Sequence, residues 1–172
     1  MSCDLLVITA SNGENLKLAE RFAALARQRG LQSDLLDLTT LTLPLFTARR
    51  KAAEGIPPGI AAVSSQLAQA PRWVICTPEY NGSIPPLLTN TIAWLSVADA
   101  DFRLLFNGRP VAIATHSGSG GTTVLTALRL QLAHLGAQVI GRQLVANNQR
   151  PAADETIADL LARLAQLQPL LL

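Results

Sequence analysis

Thr77-Pro78-Glu79-Tyr80-Asn81-Gly82-Ser83-Ile84-Pro85-Pro86 follows directly on the apolar run Trp73-Val74-Ile75-Cys76, and this junction decides the fold. Four apolar residues between Pro71 and Thr77-Pro78 are too few for a helix and suit a strand buried on both faces. Pro78 removes a backbone donor, Asn81-Gly82 favours positive φ, and Ser83 is placed to cap a helix that accepts Pro85 and Pro86 in its first turn. The chain therefore turns sharply at the carboxyl end of a strand, the edge at which open α/β sheets bind ligands. Pro78, followed by free amides on Glu79, Tyr80, Asn81 and Gly82 beside an aromatic ring, suits a flat heterocycle with both acceptors and donors. Taken alone, the same residues also make an ordinary strand-to-helix turn.

Working outward, the apolar runs at residues 5–8 and 111–114 repeat the pattern: a short strand, a loop with Gly or Asn, then a helical stripe. Weaker strands are expected at 33–38 and 138–144. Helical spacing links Leu16, Ala19, Ala23 and Ala26, then Ile60, Val63 and Leu67, then Leu125, Leu128, Leu132 and Leu135, and finally Ile157, Leu160, Leu161, Leu164 and Leu167. Helices alternating with strands predict an α/β three-layer sandwich: a five-stranded parallel sheet in the flavodoxin-like order 2-1-3-4-5, helices on both faces, joined by right-handed crossovers. That order gathers the loops at 9–15, 77–83 and 115–121 at one edge. The long connection 39–58, with Pro44, Gly55, Pro57 and Pro58, has no expected element of its own and suits a lid or a contact between subunits.

The first of these loops, Thr9-Ala10-Ser11-Asn12-Gly13-Glu14-Asn15, leads a strand into a helix, whose amino terminus stabilises a phosphate. Ser11 and Asn15 are the candidate side chains, with amides from Asn12, Gly13, Glu14, Asn15 and Leu16; Glu14 suits such a site only if it points to solvent. A capped helix start without a ligand has the same composition. The third loop, His116-Ser117-Gly118-Ser119-Gly120-Gly121, has glycines that let the backbone approach a ligand closely. His116 is either a polar contact or a proton donor. His134 is structural, and Trp94-Leu95 belongs to the core or a subunit interface.

The chain has 172 residues, enough for one domain (1–172) with a substantial core and too few for two. With 49% hydrophobic and 15% charged residues it is apolar, yet no stretch reaches the ~18 uninterrupted apolar residues of a membrane span. A soluble, self-associating protein is expected. The net charge is +2 and the basic residues are scattered, apart from Arg49-Arg50-Lys51 in an expected loop, which speaks against nucleic acid. Cys3 and Cys76 fall in expected buried strands, too far apart for a metal or redox motif, so no metal site is expected. The opening Met1-Ser2-Cys3-Asp4 has no basic segment before the first strand, which argues against a signal peptide and for the cytoplasm.

Leu43-Pro44-Leu45-Phe46, Glu54-Gly55-Ile56-Pro57, the stretch from Thr77 to Pro85, Asn90 and Trp94-Leu95-Ser96 form an ordered series, and through it the chain resembles the NADPH-dependent FMN reductase family over nearly its whole length. The resemblance implies FMN as cofactor, its phosphate in the loop from Ser11 to Asn15. It places the isoalloxazine on Pro78 to Gly82, with further ring contacts from His116, Ser117, Gly118, Gly120 and Gly121. It also implies NADPH or NADH as electron donor, a small-molecule acceptor (free flavin, quinone, azo compound or metal oxyanion) and a homodimer or homotetramer. No side chain is then required as a catalyst, since the flavin carries the redox chemistry. Two alternatives are a flavodoxin-type electron carrier and an α/β regulator without flavin. The family's phosphate loop carries Gly-Ser-x-Arg, whereas this chain has Ser11-Asn12-Gly13-Glu14-Asn15 and no arginine. A bidentate phosphate partner is missing, which predicts a weaker hold on FMN.

Overall fold

Runs of apolar residues without polar alternation need cover on both faces, and the elements of this chain are arranged to provide it. The computed structural model describes residues 3–170, so the expectation for Met1-Ser2 lies outside the described residues. In chain order the elements are β1 (Leu5–Thr9), α1 (Glu14–Gln28), β2 (Ser33–Asp37), α2 (Ala48–Glu54), α3 (Pro58–Gln69), β3 (Trp73–Cys76), α4 (Pro86–Ser96), β4 (Pro110–His116), α5 (Thr122–His134), β5 (Gln138–Val139), β6 (Leu144–Ala146) and α6 (Asp154–Gln166). The strands are parallel in the order β2-β1-β3-β4-β5, the flavodoxin-like order, with β6 also paired to β4.

Successive residues of each strand face opposite layers, and the side chains sort accordingly. Leu6, Ile8, Trp73, Ile75, Val111 and Ile113 pack against α3, α4 and α5 through Val63, Leu67, Ile92, Trp94 and Leu128. Leu5, Val7, Val74, Cys76, Ala112 and Ala114 pack against α1 and α6 through Leu18, Phe22, Ile157, Leu160 and Leu164. On this second face the small residues Ala112 and Ala114 meet a helix that itself presents Ala19, Ala23 and Ala26, all buried, so α1 lies close to the centre of the sheet. Each large side chain removed fully from water, such as Phe22 or Trp73, contributes about 2–3 kcal/mol.

Four expectations are corrected. The fifth strand is not continuous over 138–144. β5 pairs with Pro110 and Val111, β6 pairs with residues 114–116 at a register two residues longer, and residues 140–143 bulge out between them. The carbonyls of Val139, Ile140 and Gly141, at the start of the bulge, are taken up by the Arg129 guanidinium. Arg49-Arg50-Lys51 lies in helix α2, capped by the Thr47 hydroxyl, rather than in a loop. Ser83 does not cap α4, which starts at Pro86 with Pro85 before it. Cys3 precedes β1 and is half-buried, its thiol bonded to the Leu5 carbonyl at 3.1 Å, whereas Cys76 is a buried strand residue as expected. Trp94 is in the core, its Nε1 donating to the Pro44 carbonyl at 2.7 Å, which moors the 39–58 connection to α4.

Candidate functional site

The winding of the chain reverses between β1 and β3, so the loops that follow these strands diverge there, with the loop after β4 next along the same edge. In the first loop the buried Thr9 hydroxyl donates to the Ser11 carbonyl at 2.8 Å and lies 3.4 Å from its amide, which closes the turn. Helix α1 then begins at Gly13 with no side-chain cap. The amides of Asn12, Gly13, Glu14 and Asn15 find no acceptor among the described residues, while the Leu16 amide is taken by the Gly13 carbonyl at 3.0 Å. These free donors sit at the positive end of the helix, and the Ser11 hydroxyl has no partner either among the described residues.

Two side chains of this loop are placed in ways that spacing alone does not reveal. Glu14 is solvent-exposed and bonds to Lys17 at 2.6 Å; that hydrogen bond and the ammonium charge hold its carboxyl below the usual range. Asn15 is buried, and its amide is spent on the main chain of His116: Nδ2 donates to the carbonyl at 2.9 Å and Oδ1 accepts from the amide at 2.8 Å. Asn15 therefore stitches the first loop to the third.

In the second loop Tyr80 and Ser83 exchange two main-chain hydrogen bonds, at 3.1 and 3.0 Å, around Asn81 (φ 52°) and Gly82 (φ 69°). This is a two-residue hairpin turn of the type that Asn-Gly favours. It leaves the amides of Glu79, Asn81 and Gly82 without acceptors among the described residues and holds the Tyr80 ring half exposed. Pro78 is buried beneath.

The third loop springs from β4. Ser117 donates its amide to the Ala146 carbonyl at 2.9 Å, and the chain enters α5 through Gly121 at φ 69°. A Cβ on Gly121 would lie 2.5 Å from Thr115 Cγ2, so only glycine fits, whereas Gly118 and Gly120 have open space beside them. Beneath the loop the Thr115 hydroxyl is fully buried and has no partner among the described residues. His116 lines a cleft of about 360 Å³ with Glu14, Lys17 and Arg21 on the α1 face. Glu79 reaches across from the second loop: Oε1 accepts from the Ser119 hydroxyl at 2.5 Å and Oε2 from the Val124 amide at 3.1 Å. The Gly-rich loop thus presents open main chain at Gly118 and Gly120, and Asn15 and Glu79, both expected beside the cofactor, are tied to protein partners.

A larger cleft, about 560 Å³, lies between α3 and the end of α4, lined by Ile60, Leu95, Phe102 and Leu105 among others, with no residue of the three loops. No group of three or more His, Cys, Asp or Glu among the described residues is placed to hold a metal. Burial pushes the Cys76 thiol far up, so it is inert.

The sequence model of the NADPH-dependent FMN reductase family matches residues 3–151. The chain belongs to this family. It is 39% identical over 103 residues to the quinone reductase of Escherichia coli (strain K12), covering 58% of this chain and 53% of that protein. The chain thus spans about half the length of the quinone reductases it matches. It is 27% identical over 116 residues to the NADPH azoreductase of Bacillus sp. (strain OY1-2), covering 66% of this chain and 61% of that one. The flavoenzyme NAD(P)H:(acceptor) oxidoreductase FerB from Paracoccus denitrificans superposes with a TM-score of 0.73 at 20% identity, over 96% of this chain and 94% of that one, which establishes the shared fold.

Proposed function

We propose that this protein is an FMN-dependent oxidoreductase that takes hydride from NADPH or NADH and delivers electrons to a small-molecule acceptor, of which quinones and azo compounds are the first to test. The observation that carries this reading is the convergence, at the switch point of a family member, of three loops whose main-chain donors are unspent. The residues present fit FMN. The amides of Asn12, Gly13, Glu14 and Asn15, with the Ser11 hydroxyl, offer an uncapped helix start to a phosphate, and Glu14 is turned to solvent on Lys17. The free amides of Glu79, Asn81 and Gly82 and the half-exposed Tyr80 ring offer donors and an apolar face to a planar ring, and the open backbone at Gly118 and Gly120 its other edge.

FMN, when bound, supplies the two-electron chemistry at its N5. The protein's residues bind and orient: Ser11 and the α1 amides hold the anionic end, Pro78 to Gly82 support the ring, and Asn15 positions the His116 main chain at the root of the Gly-rich loop. No side chain needs to transfer a proton. We place the protein in the cytoplasm and infer a homodimer or homotetramer, which the exposed Phe102 and Leu104 at the α3–α4 cleft support.

The test is a titration of purified protein with FMN, following quenching of flavin fluorescence. Saturable quenching with an equimolar endpoint and a yellow protein after gel filtration are expected. A colourless protein that leaves FMN fluorescence unchanged at all concentrations refutes the reading.

A further inference from the structure

Helix α5 opens on Gly121 and has no capping side chain of its own, although its first turn needs one as much as any other helix. The acceptor comes from another part of the chain: Glu79 Oε2 takes the amide of Val124, the third residue of the helix, at 3.1 Å, a position where a carboxylate is also favoured by the helix dipole. Its other oxygen accepts from Ser119 at 2.5 Å, and the Ser119 hydroxyl lies 3.1 Å from that of the buried Ser117. One side chain on the second loop thus spans the third loop and the helix behind it. That third loop contains Gly118, Gly120 and Gly121, and has little conformational preference of its own.

We propose that Glu79 is a positioning residue: its carboxylate fixes the spacing between the two loops that face the flavin ring, by capping α5 in trans and anchoring Ser119. The inference rests on the flavin site proposed above. Because both oxygens are engaged by protein donors, the carboxylate serves the cofactor through the loops, and the Glu79 main-chain amide stays free. A glutamine at this position retains the arrangement, its carbonyl accepting from the Val124 amide and its amide group donating to the Ser119 oxygen. An alanine removes it.

The experiment compares Glu79→Ala, Glu79→Gln and Ser119→Ala with the parent by amide hydrogen exchange without flavin, then by FMN titration. In the apoprotein, exchange of the residue 119 and Val124 amides, which have acceptors on Ser117 and Glu79, is expected to accelerate about tenfold or more in Glu79→Ala, about threefold in Ser119→Ala and little in Glu79→Gln, with α1 unchanged as the internal control. The FMN dissociation constant is expected to rise in the same order. Unchanged exchange at these two amides in Glu79→Ala overturns the proposal. So does a Glu79→Gln variant as impaired as Glu79→Ala, which would make the charge and not the brace the operative feature. Should Glu79→Ala fail to fold, the exposed Ser119→Ala and the isosteric Glu79→Gln still decide between these outcomes. If the parent itself binds no FMN, the function proposed above fails, while the exchange measurement still judges the brace.

Discussion

Replacing Asn15 with alanine tests whether the first and third loops form one unit. The Asn15 side chain is 3% exposed and supplies both an acceptor at 2.8 Å and a donor at 2.9 Å to the peptide groups of His116. Alanine removes two hydrogen bonds worth about 1 kcal/mol each and leaves part-buried main-chain groups unpaired, a further loss of about 1 kcal/mol or more, so a destabilisation of about 3 kcal/mol is expected. For a chain of this size that lowers Tm by roughly 6–12 °C. Asn15→Asp keeps the acceptor but sets a carboxylate oxygen against the His116 carbonyl, and is expected to do no better. Urea denaturation provides the measurement, with the midpoint falling and the slope unchanged. Hydrogen exchange at the His116 amide, faster in both variants, locates the effect. A midpoint shift equivalent to less than about 0.5 kcal/mol, with the His116 amide still protected, would refute the reasoning.

Ser11→Ala, by contrast, is expected to leave stability unchanged and to weaken FMN binding by about 1–3 kcal/mol, the loss of a hydrogen bond to a charged group; equal affinity by fluorescence titration removes Ser11 from the phosphate site. Gly121→Ala combines a φ of 69° with a Cβ 2.5 Å from Thr115 Cγ2. It should cost about 2–4 kcal/mol in urea denaturation, and a loss below 1 kcal/mol would show that the loop relaxes freely. Asp159 is held below its usual range first by its hydrogen bond to Arg163, then by Arg142, and its unfolded value is near 3.8. A depressed folded-state pKa means that its contribution is present above about pH 4 and lost as the pH falls further. Asp159→Asn should therefore narrow its stability gap to the parent below pH 4, and a gap that stays constant down to pH 2 contradicts this.

The parts of the fold that could be read in advance are those where local chemistry and tertiary environment agree. The runs at Leu5, Trp73 and Val111 lack polar alternation because both faces are covered, so sequence and burial say the same thing. Helix α2 escaped because it buries no residue. No apolar stripe marks it, and only its ends carry a signal: Thr47 bonding back to the Arg50 amide and Gly55 at φ 76°. The break between β5 and β6 is held by Arg129, from a different element, which no local pattern announces, although Gly141 within the run was a hint.

The same division runs through the site. Asn81-Gly82 adopts the turn its residue types demand, and the uncapped start of α1 follows from Gly13. Asn15 was expected to face a phosphate by its position, yet its partner is His116, distant in sequence and brought close by the sheet order. Glu79 looked like part of the ring platform, while the missing cap on α5 was the legible trace of its other task. Side chains that join separate loops are invisible to spacing because their partners exist only once the strands have paired.

Anaerobic mixing of the FMN-loaded protein with NADPH, and separately with NADH, tests the central claim most directly. Loss of the oxidised flavin's visible absorbance within seconds, restored on adding a benzoquinone, is the predicted result. A bound flavin whose oxidised spectrum persists with both nicotinamides would contradict it and leave an electron carrier in its place.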